Sequence, residues 1–500
     1  MDIDLLITGI LSILHIRPLL MIFLGVTGGI IVGSLPGLTA TMGVALLVPF
    51  TFGLPITEAM GMLLGIFSGA IYGGSISAIL IRTPGTPAAA ATLLDGYPLS
   101  QKGEAGRALS VSVFSSFIGG FSGALIMTFL SPQISKFALQ FSAAEYFGLA
   151  VFGLSIIISV SGGSVLKGII AGFFGLLICT IGFDPVSGFP RFTFGMMDLL
   201  EGPAFIPTLI GLFAFSEVFK GVENIVTQKQ IISKITSVFP SYADIRIIWK
   251  DVLKSSVLGT FIGAIPGAGS DIAAFVGYSE AKRRSRTPEK FGTGKIEGVA
   301  AAESANNACT GGAMIPMLSL GVPGDAVTAI LLGAFIVQGL QPGPLLYRDH
   351  MDVVYSVFAA MMIANIAMFI VGLCGVRFFA RIITVRKSLL LPIILLLSIV
   401  GSYAIRNSSF DIWIALIFGI IGYFFQRYKY PVSPILLALI LGPMAESNLR
   451  RALIISDGSF LDIITRPMTA GFLLIAVLSL VTSLIRENKL RKKLTKAQEG

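Results

Sequence analysis

Gly33-Ser34-Leu35-Pro36-Gly37 recurs as Gly263-Ala264-Ile265-Pro266-Gly267, each copy inside a long uncharged stretch. Each is followed by a second Pro-Gly interruption, Thr83-Pro84-Gly85-Thr86-Pro87 after the first and Val322-Pro323-Gly324-Asp325 after the second. Glu58 and Glu297 stand at matching distances before these second interruptions, and Gly73-Gly74 and Gly311-Gly312 nearly match. The pattern reads as a duplicated membrane unit whose helices break at corresponding depths. Such breaks suggest a transporter, because a broken helix offers polar backbone where a solute must bind.

Working outward, 54% of the 500 residues are hydrophobic and only 13% are charged. Mean hydropathy is +0.87. No water-soluble globular chain of this length needs so much apolar surface, so the chain reads as an all-α polytopic membrane protein. Uncharged runs are long and numerous, among them 18–57, 59–81, 108–131, 353–376 and 467–485. A helix needs about 20 residues to cross the hydrocarbon layer, which gives about 11 to 13 membrane segments, some of them incomplete.

The net charge of +9 could suggest nucleic acid. Its distribution says otherwise: basic residues concentrate in 220–254, 280–295 and 486–500, which together carry more than the whole net charge. Lysine and arginine in short loops mark the cytoplasmic face, so topology accounts for the basicity and no nucleic-acid partner is expected. Lys489, Arg491, Lys492, Lys493 and Lys496 could also hold the tail to anionic lipid. Three cysteines far apart form neither a disulfide framework nor a metal spacing, and His15 and His350 merely flank membrane runs. Met1-Asp2-Ile3-Asp4 offers no basic leader, so no cleaved signal peptide is expected.

Six regions follow. Residues 1–17 read as an interfacial or partly inserted helix ended by Arg17-Pro18, and 18–219 as the first repeat unit plus accessory helices. A basic cytoplasmic connector, 220–254, leads to the second repeat unit at 255–376. C-terminal helices fill 377–485, and 486–500 is a basic cytoplasmic tail. The flank before the second unit is basic, whereas the flank before the first holds Asp2, Asp4 and only Arg17. That asymmetry favours opposite insertion of the two copies, an inverted repeat with broken or re-entrant helices.

Proline removes a helix hydrogen bond and glycine eases departure from helical geometry, so each Pro-Gly opens the backbone. The helix beginning past such a break directs free N–H groups and partial positive charge outward, a ready place for a carboxylate. A simple kink is the rival for any one break; four in duplicated register favour a binding site. Its candidate substrate residues are Pro36, Gly37, Thr39, Thr41, Ser75, Ser77, Thr83, Gly85 and Thr86 in the first copy. Gly267, Ser270, Asn306, Asn307, Thr310 and Gly324 are those of the second. Hydroxyls and amides suit an anionic substrate, with packing between helices as the rival role. Asp271 and Asp325 are expensive in lipid and are candidates to bind a coupling ion, Na+ or H+, with helix N-capping as the alternative. Glu303 is expected to face an aqueous vestibule, and Arg82 either meets a substrate carboxylate or snorkels to the interface. An intramembrane aspartyl protease is the enzyme alternative. Gly267-Ala268-Gly269-Ser270-Asp271 is one residue out of register with that motif, so no enzyme, and no cofactor beyond the coupling ion, is expected.

The chain resembles the large membrane subunit of the tripartite tricarboxylate transporter family. The matching segments are Gly33–Thr41, Tyr72–Ser75, Arg82–Pro87, Gly263–Gly269 and Gly321–Asp325. The resemblance implies an ion-driven permease of the bacterial inner membrane for citrate and other di- or tricarboxylates. It also implies two partners, a small membrane subunit of about four helices and a periplasmic solute-binding protein. A passive anion channel is the remaining alternative.

Overall fold

A computed structural model describes residues 3–160, 164–223 and 239–498. Apolar runs that must satisfy their backbone groups without water fold as helices. Among the described residues the only ladder is a two-residue pair, Gly182–Phe183 with Pro190–Arg191, so the fold is all-α. The chain forms two compact units, Met1–Ser135 with Glu217–Ile405, and Lys136–Ser216 with Arg406–Gly500. Both copies of the Pro-Gly motif fall in the first unit.

The first unit begins with α1 (Ile3–Ile13), α2 (Ile16–Ser34) and α3 (Ala40–Thr51). It continues with α4 (Ile56–Ile81), α5 (Ala89–Gln101) and α6 (Ala105–Ala138). The second unit takes α7 (Ala143–Val160), α8 (Val165–Ile178) and α9 (Phe205–Leu209), which passes through a π-helical turn into α10 (Ser216–Glu223), where the chain re-enters the first unit. Back in the first unit come α11 (Tyr242–Gly263), α12 (Gly269–Arg284), α13 (Ile296–Leu320) and α14 (Ala326–Val337). It ends with α15 (Pro344–Asp349), α16 (Met351–Ile382) and α17 (Lys387–Ala404). The second unit closes the chain with α18 (Ser409–Arg427), α19 (Ser433–Ile455), α20 (Phe460–Ile464) and α21 (Pro467–Gln498).

Eight described helices are long and apolar enough to cross a membrane: α2, α4, α6, the continuous helix Phe205–Glu223, α16, α17, α18 and Pro467–Ile485 of α21. Five shorter apolar helices accompany them, and two of these, α3 and α14, are half-length because Pro-Gly interrupts their runs. The expected total of about 11 to 13 segments therefore counts pieces as well as full spans. Two boundaries differ from expectation. α1 ends at Ile13, and Arg17-Pro18 opens α2 instead of closing α1, since a first-turn proline loses no helix hydrogen bond. α1 also packs on α16, where a Cβ on Gly9 would lie 2.7 Å from the Tyr355 carbonyl oxygen. Of the connector, 224–238 lies outside the described residues, and α11, capped by Ser241, already begins at Tyr242.

The helix directions of the first unit set up its centre. Gly25, Gly29 and Gly33 of α2 face Met62, Ile66 and Ala70 of α4 in step, so α2 and α4 run the same way and α3 returns beside them. A Cβ on Gly33 would sit 2.1 Å from the Ala70 oxygen, so only glycine lets these backbones touch. α11 and α13 pack likewise, Gly259 and Gly263 against Ala305 and Cys309. Along α5, Thr86 and then Gly96 meet Gly74 and then Ile79 of α4. Thr92 and then Asp95 meet Glu303 and then Gly298 of α13, in descending order. α4 and α13 therefore run in opposite directions.

The second unit is held on its polar side by four charges. Arg191 pairs with Glu446 at 2.6 Å and Arg450 with Asp184 at 2.8 Å, while Arg450 also reaches Glu446 at 2.9 Å. Backbone N–H groups of Ser187 and Val186 donate to Asp184 and hold its carboxyl well below the usual range.

Candidate functional site

The first break of each copy is built alike. Gly37 and Gly267 adopt φ of +96° and +84°, a left-handed conformation in which a side chain would be strained. Beyond Gly37, Thr39 caps α3 by accepting from the Met42 N–H at 3.2 Å. The second break then folds back onto the first. Gly85 donates its N–H to the Gly74 carbonyl at 3.2 Å, and a Cβ on Gly85 would lie 1.9 Å from the Gly33 oxygen. In the other copy the contact is a hydrogen bond: the Gly267 N–H donates to the Gly324 carbonyl at 2.7 Å.

Helices then pair across the copies. α14 packs along α3, and Gln338, just past its end, donates to the carbonyl of Thr51 at the end of α3 at 3.0 Å. Both helices have 12 residues, so their N-termini at Asp325 and Thr39 stand at one level. α12 packs along α5: Ala91 and Ala274 share a buried cluster, and farther along the Tyr278 hydroxyl donates to Asp95 at 2.9 Å. Their N-termini, after Thr86 and at Gly269, also match. Four helix N-termini thus converge on two touching pairs of breaks. Each carries about half a positive charge, so together they favour an anion of several carboxylates.

The candidate residues divide into three groups. Around the first copy's breaks, Pro36, Thr39 and Thr41 are half-buried and Gly37 is exposed. Thr83 is exposed and bonded to the Ile81 carbonyl, whereas Gly85 and Thr86 are buried. Ser75 and Ser77 lie inside α4 and are committed to its own backbone, Ser75 also to the Ser112 hydroxyl at 2.7 Å. Around the second copy's breaks, Gly267 and Ser270 are half-buried, Gly324 is buried and Asp271 is exposed. Asp325 forms a capping box with Thr328, accepting the Thr328 N–H at 2.7 Å.

The third group, Asn306, Asn307 and Thr310, is fully buried inside α13. Thr310 donates to the Asn307 carbonyl at 2.6 Å, while both polar atoms of the Asn306 side chain lack a partner. Thr86 Oγ1, Tyr72 Oη, Ser115 Oγ and Asn307 Oδ1 are likewise buried without partners. Buried polar atoms are seldom left so, and here they gather around the helices that carry the breaks.

Three features escaped the reading of the sequence. Glu303 is not in a vestibule; it is 0% exposed, accepting from the hydroxyls of Thr92 and Ser116. Its uncharged flanks carry the same signal that singled out Asp271. Glu217 and Lys387 approach the first break, the Glu217 Oε1 within 3.2 Å of where a Cβ on Gly37 would stand. No spacing in the sequence reveals that meeting. Arg82, in the left-handed conformation after α4, stacks over Tyr97 with 5.7 Å to the ring centroid.

Residues 19–437 match the family described as Tripartite tricarboxylate transporter TctA family. An uncharacterised 52.8 kDa protein of the TAR-I ttuC' 3' region of Agrobacterium vitis is 38% identical over 463 residues, 93% of this chain and 92% of that one. A second uncharacterised protein, from the TAR-II ttuC' 3' region of the same organism, is 37% identical over 227 residues, 45% of this chain and 94% of that one. No solved structure matches the chain.

Proposed function

The chain belongs to the tripartite tricarboxylate transporter TctA family, a family of transporters, and from that premise we propose that it is the large permease subunit of an ion-driven, binding-protein-dependent uptake system. In this reading the substrate is a di- or tricarboxylate anion, taken up across the bacterial inner membrane. The observation that carries it is the meeting of four helix N-termini at the Pro-Gly breaks: a polyanion is held there by N–H groups, hydroxyls and partial charges, with no buried arginine required. Thr39, Thr41, Thr86 and Ser270 supply hydroxyls at those ends, and Asn306 offers an amide. Asp271 and Asp325 are the carboxylates through which Na+ or H+ would be coupled.

The opposite directions of α4 and α13 support reading the two copies as an inverted repeat, and exchange of exposure between its halves as alternating access. A small membrane subunit of about four helices and a periplasmic solute-binding protein complete the system in this proposal. The test is uptake of radiolabelled citrate and smaller dicarboxylates into proteoliposomes holding all three components, with the cation gradient varied. Accumulation against the substrate gradient, lost when the cation gradient collapses, is expected. Equilibration alone would make the protein a passive anion channel, and robust uptake without the binding protein would overturn the tripartite reading.

A further inference from the structure

We propose that Glu303 is a proton-carrying carboxyl that couples substrate movement to a proton gradient. The inference rests on the transport reading above and names its coupling ion. Glu303 lies about two turns into α13, wholly enclosed, and no lysine or arginine pairs with it among the described residues. An isolated ionised carboxylate is too costly in such a place to persist, so the enclosed state holds Glu303 as COOH.

Its neighbours form a hydrogen-bonded chain that can pass a proton. Thr92 of α5 donates to one carboxyl oxygen, and Ser116 of α6 reaches the other at 2.8 Å. Ser116 in turn accepts from Asn307 Nδ2 at 2.9 Å, so the carboxyl, a hydroxyl and an amide form a chain. Around that chain stand the buried, unpartnered atoms Tyr72 Oη, Ser115 Oγ, Asn307 Oδ1 and both polar atoms of Asn306. Polar atoms left open this way are places for water or a migrating proton when the helices part.

The titratable groups on the packed elements are few. α4 bears Tyr72, fully buried. Asp95 of α5 is occupied by the N–H groups of Gly292, Gly294 and Lys295 and by Tyr278 of α12. α12 also bears Glu280, paired with Arg283 and Arg284, and α11 bears Asp251 and Lys254. Glu297 and Cys309 share α13, Glu297 being paired with Lys295. α6 has no titratable residue between 108 and 131, and Arg107 at its start is bound to Glu104 and Asp244. Nothing there supplies a permanent counter-charge. In each cycle Glu303 takes one proton from the outer water, carries it as COOH while enclosed, and gives up H+ to the inner water, returning to COO–.

The test uses the complete system in proteoliposomes without sodium, comparing net uptake driven by a pH gradient with exchange of internal for external substrate. Glu303→Gln, fixed in the neutral form, is expected to lose net uptake more than tenfold while keeping exchange, which needs no proton release. Retained pH-driven uptake in Glu303→Gln would overturn the proposal, as would loss of exchange in a variant that still elutes as a folded protein. Should Glu303→Gln fail to fold, Ser116→Ala with Thr92→Val removes donors to the charged form and is expected to move the pH profile of uptake alkaline-ward by about one unit. An unmoved profile would overturn the assignment. Wild-type uptake that responds to no ion gradient would instead sink the transport reading on which it rests.

Discussion

The two copies of the Pro-Gly motif share a backbone and differ in chemistry. Gly37 and Gly267 have the same left-handed turn, and Gly33 and Gly263 press their helices onto the partner's carbonyls in the same way. Within that shared frame the first copy has no carboxylate at its breaks. Its long helix, α4, has Leu64, Phe67 and Ser68 where α13 has Glu303, Asn306 and Asn307. The turn after the first break likewise has Thr39 and Thr41 against Ser270 and Asp271. Close backbone contact leaves little freedom at the glycines, whereas side chains beside the breaks can vary without disturbing it. The proposed division of labour follows: both copies hold the anion, and the second handles the ion.

The largest effect should come from breaking what the copies have in common. Gly85→Ala and Gly324→Ala would each place a Cβ where backbone already stands, 1.9 Å from the Gly33 oxygen and 2.5 Å from the Ala313 Cα. Both are expected to reduce substrate uptake at least a hundredfold, with lowered yield of folded protein, while Gly53→Ala, which meets nothing within 4 Å, remains a milder control. If either break accepts alanine with normal uptake, the two copies are not mechanically alike.

Next in size is the charge that separates them. Asp271→Asn is expected to cut ion-driven uptake more than tenfold and leave expression intact, measured as substrate accumulation at fixed and collapsed cation gradients. Thr41→Val, at the corresponding place in the first copy, should weaken substrate affinity about threefold without touching ion dependence, by loss of one hydrogen bond of about 0.5–1.5 kcal/mol. Normal ion dependence in Asp271→Asn would remove the proposed contrast.

Much of this was readable in the chain because it follows from steric and solvation rules that act locally. Uncharged runs must be helices in lipid, and Pro-Gly must open them, so the all-α fold and the breaks at Pro36-Gly37 and Pro266-Gly267 were legible. So was the rival role of Asp325 as an N-cap, which the capping box with Thr328 bears out. What could not be read were the meetings made by long-range packing. Thr92 finds Glu303 from 211 residues away, and Lys387 comes to Gly37 from another part of the chain altogether. Glu303 was visible as a carboxylate among alanines, but its enclosure depends on α5 and α6 closing over it.

A smaller effect separates capping from ion binding at Asp325. Asp325→Ala removes a cap and should cost about 1 kcal/mol, seen as a drop of a few degrees in thermal unfolding in detergent. Asp325→Ser can still accept the Thr328 N–H and is expected to recover most of that loss. Uptake then decides the role: a serine that restores stability but not ion dependence keeps Asp325 in the coupling pair, and one that restores both makes it a cap alone.

The smallest effect tests whether the first copy borrows a charge. Lys387 Nζ would stand 4.0 Å from a Cβ on Gly37, and Glu217, 3.8 Å from Lys220, is nearer still. A cation there lies beside the N-terminus of α3 and would draw a carboxylate toward it. Lys387 is exposed, however, so water and salt weaken the attraction to about 0–1 kcal/mol, a factor of up to about five in binding. Lys387→Ala is accordingly expected to raise the KM for substrate about threefold at low salt and hardly at all at high salt, with kcat unchanged. A salt-independent rise, or a fall in kcat, would mean that Lys387 acts on the closing of the first break and not on the anion, and the first copy would then hold the anion with no borrowed charge.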